Sequence, residues 1–481
     1  MLEVYNTLSG EREKFEPINS GKVNIYVCGL TVQNYSHIGH IRSAINYDVM
    51  RRYLEYKGYE VNFVQNFTDI NEKIVRRALE EEMSPEELAD KYSKAYLEDL
   101  ESLNVKKADS YCSVSNNIPE IIEVIEKLIE KGYAYESEGS VYFSVEKFDD
   151  YGKLSGRNLE DMEAGARIKI EESKNHPMDF ALWKKEEEKK PNWDSPWGRG
   201  WPGWHIECSA MSMNYLDTQI DIHGGGTDLI FPHHENEIAQ SEAYSGKKPF
   251  AKYWLHNGTV NLRGEKMSKS LGNFYTTREL LKKFSADTLR YFLLSKHYRS
   301  PIEFSIEEVE KTKKALDKLV NTKKRMEKLI NKEERRNSDF YDSEFNNNIK
   351  AHNRNFEKAM NNDFNTAQTI GVLNELVSDI NSFVNNPDLE INNKSKKLIK
   401  ESYDLFNKIT SILGLKLKVE NNKEKNPELL KNLIDYILEL RENARDNKDY
   451  KKADKIRDDL KEMGIEVNDS PQGVEWEIRE E

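Results

Sequence analysis

Two short segments of this 481-residue chain carry residues suited to phosphate chemistry. The first is His37-Ile38-Gly39-His40, where a strand pattern hands over to a helix pattern. At such a point the unpaired backbone N–H groups and the positive end of the helix dipole favour a phosphate. Two imidazoles can donate to phosphoryl oxygens there, and Gly39 has no side chain to hold a nucleotide away. The second is Lys266-Met267-Ser268-Lys269-Ser270-Leu271-Gly272-Asn273, after a hairpin pattern turning at Arg263-Gly264. Two lysines flanking small hydroxyl residues suit a clamp that stabilises charge on a transferring phosphoryl group. Taken singly, the alternatives are a histidine-containing loop without a task and a solvated basic loop.

A third set is Cys28, Cys208, His233 and Glu237. Two thiolates, an imidazole and a carboxylate are all suitable zinc ligands. His233 and Glu237 are four residues apart and share one face of a starting helix. The four come from three distant segments, so spacing alone does not establish the set. Buried structural cysteines beside a capping helix are the alternative.

These residues need elements to hold them. Val23-Asn24-Ile25-Tyr26-Val27 reads as a strand ending at Cys28-Gly29. From His40, the apolar residues Ile41, Ile45, Val49 and Tyr53 recur every fourth position, which predicts a helix closed near Gly58. Tyr59 to Val64 predicts the next strand, so residues 22–68 open a parallel βαβ sheet of the nucleotide-binding kind. Ser84-Pro85-Glu86-Glu87 is a capping box opening a helix to about Leu103. Residues 139–195 mix short strand patterns with a charged run and read as an insertion. From Ser305, with Glu308 as a second capping box, about a hundred polar residues are helical in pattern and predict a bundle. Residues 418–427 are a polar linker; two helices and a strand at 474–478 follow.

Bulk properties set the frame. The chain is 37% hydrophobic and 33% charged, a polar-surfaced globular profile with no apolar run able to span a bilayer. No basic-then-apolar leader opens it, so the expected location is the cytosol. Three scattered cysteines argue against a disulfide framework and leave metal binding or catalysis open. A net charge of −13 argues mildly against a nucleic-acid partner, although an acidic protein can carry a basic face.

In this order, the two phosphate segments resemble the HIGH and KMSKS signatures of class I aminoacyl-tRNA synthetases, the second letter for letter. Strand-end Cys28-Gly29, the segment Trp204-His205-Ile206-Glu207-Cys208, His223-Gly224-Gly225-Gly226-Thr227-Asp228 and Pro232-His233-His234-Glu235-Asn236-Glu237 resemble the cysteinyl-tRNA synthetase family within that class. The similarity extends to Asp363-Phe364-Asn365-Thr366 and Ser470-Pro471-Gln472-Gly473. The resemblance implies one Zn²⁺ on Cys28, Cys208, His233 and Glu237, with His233 rather than His234 as ligand. It implies a cysteine pocket lined by Gly29, Thr31, Thr68, Trp204 and His223. It places ATP, with Mg²⁺, against His37, Gly39, His40, Gly225, Asp228, Lys266, Ser268 and Lys269, with His37, His40, Lys266 and Lys269 stabilising the transition state. The substrates would be L-cysteine, ATP and the tRNA for cysteine, the enzyme a monomer, and cysteinyl-adenylate the intermediate.

The fold class expected is α/β: a Rossmann-type parallel-sheet catalytic domain with an insertion, then a helical bundle and a small mixed α/β domain. The boundaries are 1–118 and 199–258 for the two halves of the catalytic domain, 119–198 for the insertion and 259–304 for the KMSKS loop and linking fold. Residues 305–417 form the tRNA-binding bundle and 428–481 the anticodon-recognition domain. Zinc suits this substrate, because a steric pocket separates cysteine poorly from serine whereas a soft metal prefers the thiolate. Rival readings are a tRNA-independent cysteine ligase of the same fold, a zinc-containing nucleotide-dependent hydrolase, and a non-catalytic RNA-binding protein.

Overall fold

A hairpin, β1 (Glu3–Asn6) and β2 (Glu11–Lys14), precedes the strand on which the site is built, β3 (Lys22–Thr31). In β3, Val23, Ile25, Tyr26 and Val27 are all buried. A strand apolar on both faces has to lie inside a covered sheet. It does so in a computed structural model that describes residues 1–158, 173–186, 191–262, 265–266, 275–333, 340–417, 427–470 and 473–478. The chain forms two compact units, residues 1–417 and 418–481.

In the first unit, α1 (Ile38–Tyr56) crosses from β3 to β4 (Glu60–Thr68), and Gly58 takes the left-handed turn that releases the helix. Two helices, α2 (Glu72–Glu80) and α3 (Pro85–Ser102), lead to β5 (Ser110–Ser113). The box expected at Ser84 and Glu87 is present in both directions. After α4 (Ile118–Glu130), an antiparallel sheet of β6 (Ala134–Ser137), β7 (Ser140–Phe143), β8 (Phe180–Lys185) and β9 (Gly200–Pro202) interrupts the fold. It ends at Gly203, which starts α5 (Trp204–Tyr215). A Cβ on Gly203 would lie 1.9 Å from the Ala181 carbonyl oxygen, so the close approach of β8 requires glycine. The main sheet resumes with β10 (Ile220–Gly226), α6 (Glu235–Ser245) and β11 (Ala251–Asn257). Its order is β11-β10-β3-β4-β5 with every neighbouring pair parallel.

Beyond β12 (Val260–Leu262) and the two-residue β13 (Glu265–Lys266) come α7 (Thr277–Lys283), α8 (Ala286–Leu294) and β14 (Ile302–Phe304). The bundle is α9 (Ile306–Ile330), α10 (Ser343–Asn361), α11 (Thr366–Val384) and α12 (Asn393–Ile412). Its second expected capping box is only half formed. Ser305 accepts from the Glu308 N–H, but the Glu308 carboxylate turns to Lys311 instead of returning to the cap.

Arg290 of α8 is fully buried and ties the sheet's first crossover to the helical bundle. It donates to the Asp48 carboxylate of α1 at 2.6 Å, to the Leu413 carbonyl after α12 at 2.9 Å and to the Leu103 carbonyl after α3 at 3.1 Å. Burial alone would raise the Asp48 carboxyl; Arg290 and Arg52 outweigh it and hold the group below its ordinary range. Gly414 leaves room for the guanidinium, since a Cβ there would lie 2.0 Å from Nη2.

The second unit holds α13 (Pro427–Asp446), α14 (Tyr450–Glu462) and an antiparallel hairpin of β15 (Ile465–Ser470) and β16 (Gly473–Ile478). The sequence patterns predict only the second of these strands. Asp469 accepts from both ends of the Arg441 guanidinium at 2.7 Å, chiefly through which its carboxyl sits below the usual range.

Arg290→Met should lower the stability of the first unit by about 3–5 kcal/mol, read from its thermal midpoint, because it strips a buried carboxylate of one partner. Asp469 has a depressed folded pKa, so its contribution is present above the unfolded carboxylate pKa and lost as pH falls through the folded value. Asp469→Asn should therefore weaken hydrogen-exchange protection of the β15–β16 amides at neutral pH and flatten its decline between about pH 5 and 3.

Candidate active site and metal centre

The register of β3 against β4 shifts between Val27 and Leu30. The irregularity is forced locally. A Cβ on Gly29 would lie 1.6 Å from the Asn66 carbonyl oxygen, and the Asn66 side chain accepts from the Gly29 N–H at 2.8 Å. This break carries Cys28. Cys208 comes from the first turns of α5, while His233 and Glu237 flank the start of α6.

The four side chains converge. Cys28 Sγ lies 3.7 Å from Cys208 Sγ and 3.5 Å from Glu237 Oε1, and His233 Nε2 lies 3.1 Å from Glu237 Oε1. Tetrahedral zinc, with Zn–S near 2.3 Å and Zn–N/O near 2.0–2.1 Å, separates paired sulfurs by about 3.7 Å and an N/O pair by about 3.3 Å. The spacing and chemistry of these donors therefore fit that ion. The Cys208 thiol is lowered to about 6, chiefly by a hydrogen bond from Cys28 and then by His233, whereas burial pushes Cys28 well up. Burial would lower His233, but Glu237 and Cys208 raise it to about 10. The cluster thus already favours one thiolate.

The surrounding groups orient these four. His205 Nδ1 faces His233 Nδ1 at 2.9 Å, and burial, then the His233 charge, drives His205 well down to its neutral acceptor form. His233 can therefore donate Nδ1–H to His205 and present Nε2 to the cluster. His223 Nε2 meets Glu237 Oε2 at 2.8 Å. His234 is also close: its Nε2 is 3.4 Å from Cys28 Sγ, and its Nδ1 meets His256 at 2.7 Å. Cys28, His223, His234 and Glu237 form a second possible donor set that shares two members with the first. The sequence reading does not single out His205 or His256. The available signal is chemical: a ligating imidazole needs a partner for its other nitrogen, and His205 lies in the same segment as Cys208.

Above the cluster opens a cleft of about 660 Å³, lined by Cys28, Gly29, Thr31, His37, Gly39, His40, Trp204 and Asp228 among others. Trp204 packs its ring 4.3 Å from that of His233. Thr68 and His223, expected in the pocket wall, are both buried. Thr68 donates to the Glu207 carboxyl at 3.0 Å, and the His223 ring stacks on Trp254 at 4.4 Å. His37 caps α1 by accepting from the Gly39 N–H, and His40 accepts from the His37 N–H, so Nδ1 of each ring serves the cap and the rings stack at 3.6 Å.

Gly226 and Asp228 line the cleft, while Gly225 is buried and donates its N–H to the Tyr47 hydroxyl at 2.6 Å. Lys266 pairs by its backbone with Asn261. Its side chain, together with Ser268 and Lys269, lies outside the described residues. The strand before it is held from α1. Buried Arg42 donates to the Gly258 and Thr259 carbonyls, each at 2.7 Å, and to that of Ser300.

The chain matches three family models: the tRNA synthetases class I (C) catalytic domain over residues 14–314, the DALR domain over 355–418, and the cysteinyl-tRNA ligase anticodon binding domain over 430–476. It is 48% identical over 476 residues to a cysteine–tRNA ligase of Carboxydothermus hydrogenoformans, covering 99% of each chain. It is 47% identical over 489 residues to one of Pelotomaculum thermopropionicum, again covering 99% of each. Among solved structures, Mycobacterium tuberculosis methionyl-tRNA synthetase with methionyl-adenylate superposes with a TM-score of 0.62 at 15% identity, over 82% of this chain and 90% of that one. That likeness establishes the fold.

The glycines of β10 give a direct check on packing behind the cleft. A Cβ on Gly224 would lie 2.5 Å from the Tyr47 ring, whereas one on Gly371 in α11 meets nothing within 4 Å. Gly224→Ala should cost about 1–3 kcal/mol, and Gly371→Ala should gain up to about 1 kcal/mol. Equal thermal midpoints for the two variants would show that Tyr47 yields freely.

Proposed function

As this chain belongs to the cysteinyl-tRNA synthetase family and attaches L-cysteine to tRNA with ATP, we propose that zinc on Cys28, Cys208, His233 and Glu237 selects its amino acid. The reading is supported above all by the convergence of two sulfurs 3.7 Å apart with an imidazole and a carboxylate in a buried pocket beneath the cleft. This set is preferred over the one containing His234 because it holds both thiols, the donors a soft metal favours. When bound, the ion supplies affinity for a thiolate that a serine hydroxyl cannot match.

The chain's own residues do the rest. His205 fixes the tautomer of His233, His223 orients the Glu237 carboxylate, and Trp204 and Thr31 wall the amino acid against the cluster. With cysteine held, its carboxylate oxygen attacks the α-phosphorus of ATP; the bond to the β-phosphate oxygen breaks and pyrophosphate leaves. His37 and His40, held by their mutual cap, stabilise the phosphoryl oxygens, and Lys266 and Lys269 complete the charge stabilisation from the facing loop. Gly39 leaves room for the nucleotide, Gly225 supports its side of the site from behind through Tyr47, Ser268 adds a hydroxyl donor, and Asp228 faces the adenosine. Mg²⁺ accompanies the triphosphate, bound mainly through it. A ribose hydroxyl of the terminal tRNA adenosine, the 2′-OH, then attacks the adenylate carbonyl and AMP leaves. The enzyme acts as a monomer in the cytosol, where its three cysteines stay free.

Cysteine-dependent ATP–pyrophosphate exchange, measured with serine as competitor before and after chelation, tests this account. Exchange should require cysteine, ignore serine, fail on chelation and return with zinc. Cys208→Ala should lose bound zinc and at least about 100-fold of the exchange, while His205→Phe should weaken zinc about 10–100-fold. Undiminished exchange in Cys208→Ala would remove the zinc-thiolate account.

A further inference from the structure

The sheet order divides the cleft into two sides about β3. The segments after β10 and β11 wall the side where a nucleotide binds in such sheets. The opposite side is walled by Tyr35, between β3 and α1, and by Lys73, after β4. Lys73 is the one lysine or arginine among the described residues lining the cleft. It is exposed near the start of α2, and Arg76, three residues on, is exposed on the same face. Neither has a carboxylate within ion-pairing distance among the described residues, while their basic neighbours are neutralised. Arg77 pairs with Glu80 at 2.9 Å and Glu81 at 2.8 Å, and Lys91 also pairs with Glu81.

The strip is rigidly carried. Ile74 and Ala78, on the other face of α2, are buried in an apolar cluster with Leu30 of β3 and Phe67 of β4. Tyr35 is half-buried and fixed edge-on against Tyr92, with the Arg278 guanidinium 5.1 Å from its ring. Two unpaired cations beside a positioned aromatic ring match a single strand of nucleic acid, whose phosphates need cations and whose bases stack.

We propose that Lys73 and Arg76 dock the phosphodiester backbone at the 3′ end of the tRNA substrate, with Tyr35 as a stacking surface for a base. The proposal rests on the synthetase reading given above. These cations serve the transfer half-reaction, in which the terminal ribose must reach the adenylate carbonyl from the β4 side. They do not serve activation, which uses ATP on the β10–β11 side.

The test compares full-length wild type with the Lys73→Ala, Arg76→Ala double variant and with Lys73→Arg. Two rates are read: cysteine-dependent ATP–pyrophosphate exchange, and single-turnover transfer from enzyme-bound cysteinyl-adenylate to tRNA at several salt concentrations. The double variant should lose at least tenfold more in transfer than in exchange. Its log–log salt dependence of tRNA affinity should be shallower by about 1.4, about 0.7 for each single-strand phosphate released. Lys73→Arg should restore most of the transfer. Equal losses in both rates would place the cations on the ATP phosphates, and no loss in either would remove the docking strip; both results overturn the proposal. Wild-type protein without cysteine-dependent exchange would instead overturn the underlying synthetase reading, an outcome no behaviour of the variants can mimic.

Discussion

The break in register at Cys28-Gly29 is the constraint on which the rest of this molecule turns. A regular parallel ladder would fix that segment by pairing it residue for residue with β4. The Asn66 carbonyl occupies the space a side chain at position 29 would need, and the Asn66 amide ties down the Gly29 N–H. Cys28 is thereby carried to within reach of helices α5 and α6. The donor cluster is a by-product of ordinary strand and helix packing around one irregular peptide.

Buried cations do a comparable job farther out. Arg42 and Arg290 both reach backbone carbonyls of segments far away in sequence, and both lie among α1 and its neighbours. Guanidinium groups suit this work because five fixed donors can satisfy several carbonyls that a loop junction leaves unpaired. Asp363 plays the acceptor's part between α10 and α11, receiving the Tyr298 hydroxyl at 2.8 Å, Arg299 at 2.8 Å and the Tyr5 N–H at 3.0 Å. The helices of the first unit are therefore pinned to the parallel sheet by polar clamps as well as by apolar packing.

Legibility from the amino-acid order followed the range of the interactions. The β3–α1–β4 crossover could be read because its signals are local: a buried strand run, a four-residue apolar recurrence and a glycine stop. The capping box at Ser84 is equally local. The one expected at Ser305 failed because a lysine one turn later competes for Glu308, which spacing does not reveal. Strand β15 escaped because Glu466, Asn468 and Asp469 interrupt its apolar residues. At the site, the phosphate motifs were readable as strings, and one set of four donors was singled out only through resemblance. Its second layer, His205 against His233 and His223 against Glu237, joins residues 28 and 14 positions apart through a fold no periodicity encodes.

The modest interior of the second unit has a consequence for how the protein holds its shape. Among the described residues, its one buried apolar cluster holds Ile434, Leu438 and Leu460, partly covered by Ile456, Val467 and Trp476. So small a core places the unit near the low end of the range of local opening free energies. A ligand that binds only the closed form raises that free energy by mass action. Occupancy of this unit by any such ligand would thus be readable as slowed amide exchange in the hairpin, and the unit would report its own saturation.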